Sequence, residues 1–156
     1  FVNRLMSELP EDLWYVIPEG TDSNFIWQVG HLLVSQNFHT LTAVTGVNEK
    51  VGRLVPIQKY NRIFNGMGTL HRSIEKDLIP VAELREQTEI VHQICIENLE
   101  TLNDDLAECL QPLPFKHPVA ETKYEALSWS FKHEMWHSAE MEAIKRDLGY
   151  PIVWMK

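Results

Sequence analysis

The chain has 156 residues, 44% of them hydrophobic, and its 14 Lys and Arg against 22 Asp and Glu leave a formal charge of −8. That length and apolar content suit one domain with a single core spanning 1–156, and exclude a disordered or collagen-like chain. The acidic balance, with no cluster of Lys and Arg, works against phosphate backbones and anionic lipid, so neither nucleic acid nor a membrane is expected as a partner.

Periodicity predicts four helical segments and no sustained period-two alternation, which makes the fold class all-α. The first segment is short and interrupted: Phe1 to Leu9 precede Pro10, Glu11 to Val16 continue from it, and Pro18-Glu19-Gly20 closes it. Arg4, Glu8, Glu11 and Asp12 fall where a secretory leader would be apolar, and no run of about 18 apolar residues exists. The chain as given, which opens on Phe1, therefore reads as cytoplasmic.

The second helix is expected to start at Asp22 or Ser23, either of which can cap it, and to run to Thr45 before Gly46. Trp27, His31, Val34 and Phe38 recur at helical spacing along it and form a core-facing stripe. From Val47 to Gly68 the chain carries Gly52, Gly66, Gly68 and Pro56, and reads as a long crossover connection.

A third helix is predicted from Val81 through Leu84, Thr88, Val91, Cys95, Asn98, Leu102, Leu106 and Cys109, a spacing that alternates four and three as a bundle seam does. Residues 68–78 add a helical turn or two before the break at Pro80. The two cysteines, Cys95 and Cys109, lie on this helix. At about 1.5 Å rise per residue they stand roughly 21 Å apart, beyond disulfide reach. Reduced thiols agree with a reducing compartment. Pro112, Pro114 and Pro118 bound the next loop. The last helix opens on Thr122-Lys123-Tyr124-Glu125, a capping box, carries Lys145 and Arg146 at the negative end of its dipole, and stops at Gly149 before Pro151.

His133 and His137 stand four apart on that helix, so both leave one face with Cβ atoms about 6 Å apart, a span one metal ion bridges at roughly 2.0–2.1 Å per nitrogen. Seven histidines in 156 positions generate about 0.3 such pairs by chance, so the spacing alone also fits ordinary histidines of an amphipathic helix. His31 sits in the apolar stripe directly after Gly30, whose missing side chain lets another helix approach. Alone it would be a satisfied core histidine. If the second and last helices are neighbours, it completes a three-nitrogen site with coordination positions left open.

The segment Ser23-Asn24-Phe25-Ile26-Trp27-Gln28-Val29-Gly30-His31-Leu32-Leu33, with His133-Glu134-Met135-Trp136-His137 and Arg146-Asp147-Leu148-Gly149-Tyr150-Pro151, resembles the DinB-like superfamily over essentially the whole chain. The resemblance implies a four-helix bundle with a long crossover connection, holding one divalent metal ion, zinc or nickel, through His31, His133 and His137. It also implies a possible homodimer and, among members with known activities, transfer reactions that use low-molecular-weight thiols. After the last histidine this sequence has Ser138-Ala139-Glu140, where many relatives have R-G-Q. Glu140 shares the histidine stripe and is a candidate catalytic residue, accepting from a ligand imidazole or from water at the metal, with a solvated helix carboxylate as the alternative.

His133 to His137 also matches H-E-x-x-H, the metalloprotease signature in which Glu is the general base. Its extension fails: position 140 is Glu and position 143 is Ala, the only glutamates that follow lie on the same predicted helix, and the sequence carries no signal for a strand to hold a peptide. Glu134 remains a second catalytic candidate with its role open. Trp27 and Trp136 flank the ligands as candidate walls of a binding pocket, or as plain core. His39, His71, His92 and His117 lack ligand spacing and are expected to be surface or structural.

The function expected from these readings is a metal-dependent enzyme acting on a small-molecule substrate, as a low-molecular-weight-thiol S-transferase or a small-molecule hydrolase. The alternative is a non-catalytic metal-binding or dimeric interaction bundle.

Overall fold

A computed structural model describes residues 1–66, 72–76, 78–102 and 111–151. Among them all regular structure is helical, and extended pairing is confined to two isolated bridges, Ser23 with Arg72 and Pro112 with Thr122. Helix α1 (Val2–Ser7) and a 3-10 turn (Glu11–Leu13) flank Pro10, shorter on both sides than periodicity suggests. Helix α2 (Phe25–Gln36) runs without interruption into a π-helical stretch (Asn37–Thr42) and a last turn, α3 (Ala43–Thr45). Gly46 ends the rod at φ +94, a conformation that favours glycine.

The cap of α2 is Asn24 rather than Asp22 or Ser23: its side chain accepts from the Trp27 N–H at 3.2 Å and donates to the carbonyls of Tyr15 and Ile74 at 3.2 and 2.9 Å. Ser23 is occupied elsewhere, donating to the Arg72 carbonyl at 2.6 Å. One Asn thus closes a helix and pins two distant segments beside it, which is more than a cap alone requires.

The crossover connection differs from the expected loop. It folds into α4 (Glu49–Leu54), capped by Asn48, and α5 (Ile57–Phe64), which follows Pro56. Gly52 lies inside α4, so the glycine count that suggested a loop was misleading. The fold is all-α, but these helices make it more than a simple four-helix bundle.

Helix α6 (Val81–Glu100) buries the predicted seam residues Val81, Leu84, Thr88, Val91 and Cys95. Leu106 and Cys109, expected on the same helix, lie outside the described residues, as does His71. Helix α7 (Lys123–Asp147) opens with both bonds of the capping box at Thr122 and Glu125 and is followed by Gly149 at φ +87.

Helix α2 is the central element and packs against α5, α6 and α7, with Phe25, Ile26, Leu33, Tyr60, Phe64 and Leu84 buried between them. Gly30 sets the approach of α5: a Cβ there would stand 2.3 Å from the Phe64 ring. Lys145, 0% exposed, extends to Glu8 at 3.0 Å and ties the chain's first elements to its last helix.

Candidate metal centre

Helices α2 and α7 are neighbours, and their packing brings His31 of one against His133 and His137 of the other. The Nε2 atom of His133 lies 3.4 Å from Nε2 of His31 and 3.1 Å from Nε2 of His137. Two nitrogens held about 2.1 Å from one ion at right-angle to tetrahedral ligand angles stand about 3.0–3.4 Å apart, so both separations fit a shared ion.

The outward edges of the rings decide which nitrogen is bare. His31 Nδ1 donates to the Phe64 carbonyl at 2.7 Å. Gln28 donates its amide to Glu140 Oε2 and to Ser23 Oγ, both at 2.8 Å, which leaves its Oε1 to accept from His137 Nδ1 at 2.5 Å. His133 Nδ1 meets the Ser35 hydroxyl at 2.8 Å. With Nδ1 carrying the proton in His31 and His137, their Nε2 lone pairs face the centre, an arrangement a cation stabilises and a neutral void does not.

Burial pushes the imidazoles toward their neutral form. His31 is held below its usual range by desolvation, against the opposing pull of the Phe64 carbonyl. His133 is pushed down to about 4 by burial and then by His31, and His137 to about 2 by burial and then by His31, His133 and Arg72. Neutral nitrogens are the form a metal takes.

The cluster lies in the wall of an open cavity of about 580 Å³. The stripe Trp27, His31, Val34 and Phe38 lines this cavity, and Trp27 and Val34 belong at the same time to the buried core, as the stripe predicts. Trp27 stacks on His31 at 4.8 Å and 6° between planes, Trp129 stacks on His133, and Trp136, 60% exposed, flanks His137 at the cavity wall. Trp27 and Trp136 therefore both wall the cavity.

Glu140 also lines it, but its carboxylate is already engaged by Gln28 and in an ion pair with Arg72. Arg72 lies over the Trp27 ring at 5.2 Å and 3.9 Å from Asp22. Glu134 is placed elsewhere: it accepts from Gln36 at 3.2 Å and borders a separate small cavity beside Phe1 and His92. The base position of an H-E-x-x-H protease is thus not built here.

Sequence reasoning missed Gln28, Ser35, Arg72 and His39 as site residues. Three of them had a signal, since Gln28, His31, Ser35 and His39 recur at helical spacing. His39 lines the cavity and is bonded to His117 at 2.8 Å. Both are buried, which falls on the structural side of the expectation, while His92 is exposed.

A family model described as the DinB superfamily matches residues 2–141, a span that includes all three histidines and Glu140. No curated protein and no solved structure matches the chain.

Proposed function

The chain belongs to the DinB superfamily, and on that premise we propose that it is a metal-dependent enzyme that transfers a low-molecular-weight thiol to a small electrophilic substrate. The observation that carries this reading is the convergence of three imidazole nitrogens, two of them bare Nε2 atoms, in the wall of an open cavity of about 580 Å³. A structural ion is enclosed by its ligands, whereas a catalytic one keeps open positions facing a substrate space.

His31, His133 and His137 would hold the ion, zinc or nickel, to which three imidazoles are suited. Such an ion supplies Lewis acidity, which makes a thiol or a water reactive at neutral pH. The chain's own residues supply the rest. Phe64, Gln28 and Ser35 orient the three rings. Glu140 acts through Gln28 on His137 and fixes the Arg72 guanidinium at the cavity wall. The stacked indoles of Trp27 and Trp129 exclude water from the ring faces of His31 and His133. Cys95 does not line the cavity and burial pushes its thiol up to about 12, and in this reading the reacting thiol comes from a co-substrate. With water in place of the thiol the same arrangement supports hydrolysis.

A second reading, a dimeric interaction bundle, draws on the exposed Tyr124, Phe131, Met135 and Trp136 of α7. Sedimentation of the metal-loaded protein tests it, a monomer at micromolar concentration removing its support.

Elemental analysis tests the metal reading. Chelator-washed and reloaded wild type is expected to hold about one divalent ion per chain, and His31→Ala and His133→Ala to lose it. No stoichiometric metal in the reloaded wild type overturns the proposal. Chelation that abolishes turnover with little loss of thermal stability favours the enzyme, and a collapse of stability favours a structural ion.

A further inference from the structure

Beside the three-histidine cluster, on the same cavity, stands a second imidazole pair whose hydrogen-bond polarity is fixed by geometry. His117, on the loop before α7, receives the backbone N–H of Val119 at its Nδ1, 3.2 Å away. A backbone N–H only donates, so His117 Nδ1 is bare and its proton resides on Nε2. That Nε2 lies 2.8 Å from Nδ1 of His39 and donates to it. His39 Nδ1 is bare in turn, and a neutral imidazole with a bare Nδ1 carries its proton on Nε2. His39 Nε2 has no hydrogen-bond partner among the described residues, and His39, unlike His117, lines the cavity.

We propose that His39 is a specificity-determining residue that presents a fixed Nε2–H donor to the ligand in the metal cavity, with His117 as the positioning residue that sets its tautomer. The ligand class is a small molecule with a hydrogen-bond acceptor, a carbonyl or carboxylate oxygen, next to the group held at the metal. A ligand offering a donor at that place is disfavoured, because two donors would face each other.

Three further features support the assignment. The π-helical stretch Asn37–Thr42 contains His39, and such wide turns often re-aim side chains at functional sites. The Phe38 ring stacks on His117 at 5.3 Å and 10°, which holds the plane of the relay imidazole. His39 is within ring contact of the ligand His133 at 5.8 Å, so the donor and the metal share one ligand space. A site built to hydrogen-bond a substrate atom rejects analogues that lack it far more strongly than an apolar wall does.

The inference rests on the metal reading for the ligand but not for the tautomer, and the test separates the two. The full chain, labelled with 15N in its histidines, is measured with and without zinc, and then titrated with benzoate as the probe. Expected is a proton-bearing Nε2 and a bare Nδ1 on His39 in both states. Benzoate is expected to shift the His39 Nε2–H resonance in the zinc form, and His39→Phe to weaken benzoate about tenfold or more, the scale of one hydrogen bond to a charged group. His117→Leu is expected to release His39 into a tautomer mixture, and His117→Gln, which restores a donor, to rescue the fixed form. A proton on His39 Nδ1, or an Nε2–H that does not move as benzoate is added to the zinc-loaded protein, overturns the proposal. Failure of zinc to load overturns the metal reading instead, and the tautomer is still read in the zinc-free sample.

Discussion

Gln28 Oε1 and His137 Nδ1 stand 2.5 Å apart, and the direction of that bond is set from outside it, because the Gln28 amide is committed to Glu140 and Ser23. One buried amide therefore dictates which nitrogen of His137 is available to a metal.

Gln28→Leu keeps volume but removes that control. Metal affinity is expected to fall about 10- to 100-fold, the usual effect of losing a group that orients a ligand. Competition against a fluorescent chelator measures it, with far-UV circular dichroism unchanged.

Gly30→Ala tests the approach of α5, since a Cβ there would meet the Phe64 ring at 2.3 Å. Overpacking of this kind costs about 1–3 kcal/mol. Because Phe64 also supplies the acceptor for His31, metal affinity is expected to fall along with the melting temperature.

Acid should destabilise the metal-free protein before its carboxylates titrate. His39, His133 and His137 are pushed down to about 3, 4 and 2 from an ordinary value of 6.5. Between those values and 6.5 the unfolded chain binds protons that the folded chain refuses. Stability is therefore full above pH 6.5 and declines as pH falls below it. Thermal melts of chelator-treated protein from pH 8 to pH 5 are expected to show the decline, and His39→Phe to make it shallower.

Thr122→Ala separates helix stability from the site. It removes the capping box of α7, costing about 1 kcal/mol, but lies eleven residues before His133. A lower melting temperature with unchanged metal affinity is expected from calorimetry and chelator competition.

The parts of this molecule legible in its sequence are those governed by local rules. The Thr122 box, the Gly46 and Gly149 stops and the α6 seam follow from short-range spacing, and His133 with His137 follows from one helical turn. His31 required the assumption that α2 and α7 are neighbours, which the resemblance supplied. Arg72 had no such signal, because its place beside Glu140 depends on Ser23 and Asn24 binding its strand of backbone from across the chain. His39 has no ligand spacing with a neighbour in sequence, and its partner His117 lies 78 positions away on a proline-bounded loop. Helices α4 and α5 are disguised by a loop-like glycine count to which α4 itself contributes Gly52.

The acceptor for His31 is the carbonyl of Phe64, the last residue of α5, where a helix leaves its terminal carbonyls without partners of its own. The negative end of that helix is therefore spent on an imidazole, which it makes a better electron donor. Loading of the three nitrogens would therefore be coupled to closure of the final turn of α5, and a bound ion is expected to slow amide exchange in a connection that contributes no ligand to it.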